Sequence, residues 1–340
     1  MKYNVAVVGA TGAVGQLVLK LLAERKFPCT SLKPIASARS AGQSIRWGDQ
    51  TLQVEALSPW VFDGIDLVIA STPDEVAGEF VPWAVERGAV VVDESAFHRM
   101  RPEVPLVVPE VNPHAIERSA GIIASPNCST TQLVVCLKPL HRAVGIKRVV
   151  VATYQAASGA GVAGQRDLEQ GTRQALQGHS HRYETFVQPL AFNLIPQIGS
   201  PKQAGYTSEE MKMVYETHKI LEDDTIEVCP TCVRVPVVNC HSESIYIECS
   251  RAIAAEEARE ILAAAPGITV WDDLLENHYP MPMTVSGRDD VVVGRIRQDL
   301  YRPQALSFWC VSDNLRKGAA TNAVQIAELI AANKRLPCVS

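Results

Sequence analysis

Two textures of hydrophobic residues alternate over residues 1–127. The short runs YNVAVVG, KPIAS, DLVIAST, AVVVDES and IIAS lack polar alternation, the pattern of strands covered on both faces. Between them, GAVGQLVLKLLAER sets Val14, Leu17, Val18, Leu21 and Leu22 at helical spacing, and EVAGEFVPWAVERG reads as a second helix. Strand, helix and strand in this order predict a βαβ wind with a mainly parallel sheet, an α/β domain of the Rossmann type.

From about residue 146 the texture changes. Longer strand-like segments, IKRVVVATYQAAS, TCVRVPVV and ESIYIECS, are separated by helical EEMKMVYETHKIL and AEEAREILAAA, which predicts a second, α+β domain over 128–312 with a mixed, largely antiparallel sheet. The stretch DNLRKGAATNAVQIAELIAANKR within 313–340 is again helical, with Ala323, Ile326, Ala327 and Ile330 on one face, and is expected to return to the first domain and complete it. No internal repeat, coiled coil or low-complexity tract interrupts this order.

A length of 340 residues suits two domains, and two domains make a cleft available. The charged fraction of 20% and net charge of -5 leave no basic field for nucleic acid, so a small-molecule substrate is the expectation. The apolar run at MKYNVAVVG is too short for a signal peptide or a membrane span, and no later run reaches spanning length. Nine cysteines, an odd number spread from Cys29 to Cys338, suggest free thiols in a reducing cytoplasm.

VVGATGAVG sets Gly9, Gly12 and Gly15 between the first strand and first helix, where small residues let the backbone approach a pyrophosphate and helix amides attract its charge. The end of the second strand decides between dinucleotides. IASARSAG carries Ser37, Arg39 and Ser40 and no carboxylate to take a ribose diol; a cation with two hydroxyls suits a 2′-phosphate, so NADP is expected over NAD.

GIIASPNCSTTQLVVCLKPL holds a cysteine in a polar notch. SPNC ends a strand and begins a helix whose Leu133, Val134, Leu137 and Leu140 face inward, so Cys128 falls near a helix N-terminus, where partial positive charge favours a thiolate. Its own N–H is placed to help stabilise an oxyanion. A thiolate beside a nicotinamide points to attack on an acyl carbon or aldehyde coupled to hydride transfer. Of eight histidines, His241 follows the strand that carries Arg234 and is the candidate proton shuttle; His98, His114, His141, His179, His181, His218 and His278 sit in segments read as solvated. CPTC at 229–232 with Cys240 and His241 has the flavour of a metal site, but VRVPVVN between them reads as a strand and no second CxxC follows, so no metal is expected.

GATGAVG, ASARSAG, VPLVVPEVN, SPNCSTTQ, YQAASGAG, YTSEEMKM, TCVRVPV with HSES, and DNLRKGAATNAVQIAE together resemble the bacterial aspartate-semialdehyde dehydrogenase family, in order over nearly the whole chain. The resemblance implies NADP-dependent reductive dephosphorylation of aspartyl phosphate to aspartate semialdehyde, on the route to lysine, threonine, methionine and isoleucine. It implies Cys128 as the thioacyl nucleophile, His241 as acid/base, and Asn127 and Gln155 as residues orienting the substrate. Arg234 would grip the α-carboxylate, Glu209 the ammonium, and Lys212 with Arg99 the phosphate. Thr11, Ala13 and Val14 of the glycine loop, Ser158 and Gly159 of YQAASGAG, and Asn314 would join the cofactor contacts. A homodimer is implied, with tetramers as a further state.

The chain departs from that family at Pro73, Asp74 and Glu75, where relatives often carry a small, glycine-containing loop, and at Glu94, where they usually have asparagine after the aspartate. Carboxylates near bound phosphates are unfavourable unless they point away. Two alternatives stay open: a related acyl-phosphate reductase such as one acting on N-acetylglutamyl phosphate, and a catalytically silent paralogue with a binding role.

Overall fold

A computed structural model describes residues 2–333. The chain divides into two units, one formed by residues up to Asn127 together with those from Ala319 on, the other by Cys128–Gly318. Cys338 lies outside the described residues, as does the end of the expected C-terminal helix.

In the first unit the elements are β1 (Tyr3–Val8), α1 (Ala13–Glu24), β2 (Cys29–Ala36), β3 (Ser44–Trp47), β4 (Gln50–Gln53), β5 (Glu55–Ala56), β6 (Leu67–Ala70), α2 (Asp74–Glu86), β7 (Val90–Asp93) and β8 (Ile122–Ala124). Six strands form one sheet in the order β5-β2-β1-β6-β7-β8, every pairing parallel. The chain leaves β1 in one direction and, after β5, returns to its other side, so the reversal falls at the carboxyl end of β1, where such sheets open a crevice for ligands. Both faces are buried: Val5, Val7, Leu67 and Ile69 join the core that includes α1 and a C-terminal helix (Thr321–Ala332), while Ala6, Val8, Val68 and Ala70 join the core under α2. That explains the absence of polar alternation in these runs. The β3–β4 hairpin, absent from the sequence reading, lays Ile45, Trp47 and Leu52 on the α1 side.

The second unit contains α3 (Cys128–Val144), β9 (Ile146–Gln155), α4 (Gly161–Leu176), α5 (Ser208–Leu221), β10 (Glu227–Arg234), β11 (His241–Cys249), α6 (Ala255–Ala263), β12 (Ile268–Val270), α7 (Pro282–Val285), β13 (Val291–Gln298) and β14 (Ala305–Ser312). Its sheet runs β10-β9-β11-β14-β13-β12, parallel at the two outermost pairings and antiparallel at the three inner ones. Helices α3, α5 and α6 pack on the sheet. The face that carries Val150 and Tyr154 of β9, Tyr246 of β11 and Trp309 of β14 is half exposed, with the Tyr154 and Trp309 rings 5.2 Å apart.

Two expectations about local structure change. Asp313 does not begin a helix; its carboxylate accepts the Leu315 and Arg316 amides at 3.0 and 3.2 Å, and helical structure starts at Arg316 with one π turn before the regular helix. TCVRVPVV is strand only to Arg234, because the chain turns before β11 starts at His241. Among the described residues no helix is long and apolar enough to cross a membrane.

Candidate active site

Strand register assembles the chemistry of the second unit. Gln155, the last residue of β9, pairs with Arg234, the last of β10, while Tyr154 pairs with Ser242 of β11, so Gln155, Arg234 and His241 share one end of three adjacent strands. All three side chains are buried. The peptide after Gln155 links two of them: the Ala156 carbonyl accepts from Arg234 Nη1 at 2.6 Å, and the Ala156 N–H donates to His241 Nδ1 at 3.1 Å. Gly159 closes the corner. A Cβ there would stand 2.8 Å from Arg234 Nη1 and 3.1 Å from His241 Nε2, so a side chain at 159 would displace one of these groups.

Cys128 opens α3, and Ser129 to Leu137 behind it are all buried. The first turns are therefore packed all round rather than amphipathic, while Cys128 itself stays partly exposed. Gly318 backs against it: a Cβ at 318 would lie 2.9 Å from Cys128 Cβ. The Arg234 guanidinium is near enough to feel the Cys128 sulfur; burial pushes the arginine pKa below its usual range, and Cys128, Glu209 and Cys232 pull it back.

The two glutamates at the start of α5 divide their work. Glu210 completes a capping box with Thr207, and its other oxygen takes the Cys232 amide at 3.0 Å, so it anchors helix to strand. Glu209 turns the other way, accepting from Gln155 Nε2 at 3.1 Å and from Lys212 Nζ at 3.3 Å. Gln155, Glu209, Lys212, Arg234 and His241 thus converge within one unit, with Cys128 in electrostatic range of Arg234. Ser158, Gly159 and Asn314 join them. Ser158 Oγ lies 3.0 Å from Asn314 Oδ1, which also accepts the Cys240 N–H at 3.0 Å. Cys240 has a φ of 73°, a conformation that costs a non-glycine residue about 1 kcal/mol, so Asn314 holds the strained residue that presents His241. These two polar side chains serve the histidine's backbone, a duty that the motifs do not announce.

Arg99 and Asn127 belong to the first unit and are buried there; Arg99 donates to the carbonyl oxygens of Ser125 at 2.9 Å and Glu94 at 2.6 Å. Gly9 takes a φ of 83°, and a Cβ on it would stand 2.1 Å from the Ser71 carbonyl; one on Gly15 would stand 2.1 Å from the Gly9 carbonyl. Both glycines are thus required by the turn itself. Gly12 is the N-cap of α1 and supplies no side-chain cap, and Ala13, Val14 and Gly15 follow with no acid in the first turn, so the helix amides remain open to an anion. Ser37, exposed Arg39 and Ser40 follow β2 and Thr11 lies in the glycine loop after β1; Arg39 has no ion-pair partner among the described residues. This donor set fits an anionic dinucleotide.

Two of the departures become intelligible. Pro73, Asp74 and Glu75 start α2, where acids complement the helix dipole, and Asp74 accepts the Ala96 amide at 2.8 Å. Neither carboxyl oxygen of Glu94 makes a well-formed hydrogen bond, and burial pushes its pKa up to about 7, with Ser71 and Arg99 opposing and Asp93 adding to the rise. This shift favours the uncharged form of Glu94, which weakens the expected repulsion of phosphate. His98 requires a correction: it is buried, with Nδ1 2.6 Å from Asp93, because the segment after β7 folds back over that aspartate. Cys229 and Cys232 stand three residues apart on β10 and so face opposite sides of the sheet, and among the described residues no three His, Cys, Asp or Glu side chains group to hold a metal.

Residues 4–119 match the family described as semialdehyde dehydrogenase, NAD binding domain, and residues 137–317 match semialdehyde dehydrogenase, dimerisation domain. The aspartate-semialdehyde dehydrogenase of Aquifex aeolicus (strain VF5) is 50% identical over 97% of this chain and 98% of its own length. This chain belongs to the aspartate-semialdehyde dehydrogenase family. Aspartate semialdehyde dehydrogenase II of Vibrio cholerae, in a crystal structure complexed with ASA, aligns with a TM-score of 0.96 at 43% identity over 98% of this chain and 100% of that one. The Candida albicans enzyme, crystallised with NADP, aligns with a TM-score of 0.77 at 28% identity over 98% of this chain and 99% of that one.

Proposed function

We propose that the chain is a cytoplasmic, NADP-dependent aspartate-semialdehyde dehydrogenase that interconverts L-aspartyl 4-phosphate and L-aspartate 4-semialdehyde, supplying lysine, threonine, methionine and isoleucine synthesis. The observation that carries this reading is the buried convergence of Gln155, Glu209, Arg234 and His241 near the thiol that opens α3. Cys128 sulfur attacks the acyl phosphate; a carbon–sulfur bond forms, the bond to phosphate oxygen breaks, and phosphate leaves with that electron pair. When bound, the nicotinamide supplies hydride to the acyl carbon or takes it back. His241 attends the oxygen that carries the resulting negative charge. Arg234 offers a planar fork to the α-carboxylate, Glu209 meets the ammonium, and Lys212 and Arg99 bind phosphate, with Asn127 and Gln155 orienting the substrate.

An anionic Glu209 among the substrate groups favours a free amino acid over an N-acetylated one, because an acetylated nitrogen brings no positive charge to it. The joint presence of Cys128, Gln155, Arg234 and His241 argues against a silent binding protein. The half-exposed aromatic face of the second sheet, with Tyr154 and Trp309, gives a homodimer an apolar surface to bury.

Purified enzyme assayed with aspartate semialdehyde is expected to form NADPH only when inorganic phosphate is present, and to prefer NADP to NAD severalfold, because Arg39 and its two serines meet the 2′-phosphate. Faster turnover of N-acetylglutamate semialdehyde, or phosphate-independent NADPH formation at the same rate, would contradict the proposal.

A further inference from the structure

Arg234 is buried, yet among the described residues its side chain donates a single hydrogen bond, from Nη1 to the Ala156 carbonyl at 2.6 Å. A guanidinium carries five N–H donors, so most of this fork is open to a ligand. One hydrogen bond is a pivot and does not fix the plane of the group. A second restraint comes from Phe186, whose ring centre lies 5.9 Å from the guanidinium carbon, within cation–π range. Phe186 itself stands outside any helix or strand, between α4 and α5.

One face of α4 holds it there. Gly164, Asp167, Leu168 and Gly171 follow helical spacing and are all buried. A Cβ on Gly164 would stand 3.1 Å from Phe186 Cζ, and one on Gly171 would stand 2.2 Å from the Tyr183 hydroxyl, so these two glycines leave room for the two rings. Between them, one oxygen of Asp167 accepts the amides of Glu184 at 2.9 Å and Thr185 at 2.6 Å, which fixes the two residues before Phe186. Both rings pack on the small core that Ala157, Leu168, Leu190 and Ile195 form. The far end of the segment returns to the same arginine, because the backbones of Ile195 and Arg234 exchange hydrogen bonds at 3.0 and 2.9 Å. The segment therefore holds Arg234 by main chain and side chain together.

Resting on the reading of Arg234 as the fork for the substrate α-carboxylate, we propose that Phe186 is a positioning residue. Its ring, seated between α4 and the guanidinium, sets the plane in which the open N–H groups meet the carboxylate, and Asp167 is the clasp that keeps the ring in place. A fork ordered beforehand forms its two hydrogen bonds without first giving up rotational freedom, so the gain falls on substrate affinity. The sulfur, the acyl carbon and the hydride path are not touched by this contact. Phe186 acts through Arg234 and meets no reacting atom.

Phe186→Leu in the full-length enzyme keeps an apolar side chain and removes the ring. KM for aspartate semialdehyde is expected to rise about five- to tenfold while kcat changes less than about threefold and KM for phosphate and NADP stays put. Asp167→Ala is expected to repeat that pattern, and Asp167→Asn, which keeps an oxygen for the two amides, to restore the wild-type KM. In an Arg234→Lys background, Phe186→Leu should add less than about a twofold further loss in kcat/KM, because an ammonium has no plane for the ring to set. An unchanged KM for the aldehyde in both Phe186→Leu and Asp167→Ala would overturn the proposal. So would an equal rise in all three KM values, or the full single-variant loss on top of Arg234→Lys. A failure of the proposed function would appear separately, as absent wild-type turnover of aspartate semialdehyde.

Discussion

Replacing Cys128 with alanine is expected to lower kcat by about four orders of magnitude or more while NADPH binding, followed by fluorescence, stays within a few-fold of wild type. The expectation follows from where the sulfur sits. Cys128 is the first residue of a 17-residue helix whose following turns are packed all round, so its Cα is fixed by the core and not by the side chain it carries. Alanine removes one atom and adds no clash; even Gly318, whose hypothetical Cβ would come within 2.9 Å, meets only the Cβ that alanine retains. The fold and the dinucleotide loop, both built from other residues, should be undisturbed. Substrate carboxylate, ammonium and phosphate would still find Arg234, Glu209 and the two cations, but no covalent path would remain. Activity within tenfold of wild type would place the nucleophile elsewhere.

The second large effect is expected at Arg234. Changing it to lysine preserves a charge and removes the planar fork. The consequence extends beyond one lost contact, because Arg234 Nη1 holds the Ala156 carbonyl at 2.6 Å, the same peptide whose N–H sets the His241 ring, and the guanidinium lies 5.9 Å from the centre of the Phe186 ring. A lysine ammonium in that buried corner reaches one partner at a time and leaves others unpaired, a defect of about 3–5 kcal/mol for a buried ion that loses its geometry. Expressed as kcat/KM for aspartate semialdehyde, this is a loss of roughly two to four decades. Both parameters should suffer: KM because the carboxylate loses its fork, and kcat because the histidine loses the peptide that orients it. A change confined to KM would show that the Ala156 bridge is unimportant for turnover.

How much was legible before the structure depends on how each residue acts. The parallel sheet could be read because strands covered on both faces must be apolar throughout, and Val5 to Val8 and Leu67 to Ala70 are. Strand order could not, since nothing in those runs says on which side of β1 the chain returns. β13 and β14 were missed although they lie inside the second sheet: VVVGRIRQ carries a glycine and two arginines, and ALSFWCVS alternates only loosely, so periodicity gave a weak signal where register decides. The helix α4 was missed for a similar reason, with three glycines diluting its apolar face.

The site divides along the same line. In the proposed reaction Cys128, Gln155, Glu209, Arg234 and His241 would act through their own functional groups, and such residues announce their chemistry by type and neighbourhood. Ala156 acts through its peptide, Gly159 and Gly318 through the side chain they lack, and Phe186 through a ring that approaches Arg234 from a distant loop. None of these contributions has a residue-type signature. A partial signal did exist for Thr207 and Glu210, because threonine followed three residues later by glutamate marks a helix start and would have separated the structural glutamate from Glu209. His98 shows the opposite failure: FHRMRPEVP looks solvated, and only the fold brings Asp93 beneath the ring.

The account depends on a covalent bond at one sulfur. Wild-type enzyme incubated with aspartate semialdehyde and NADP in phosphate-free buffer, quenched in acid and mapped by mass spectrometry, is expected to carry the aspartyl group as a thioester on the peptide that contains Cys128, and to lose it when phosphate is added before the quench. Turnover with phosphate but no acyl group on that peptide, or an acyl group on a different cysteine, would contradict it.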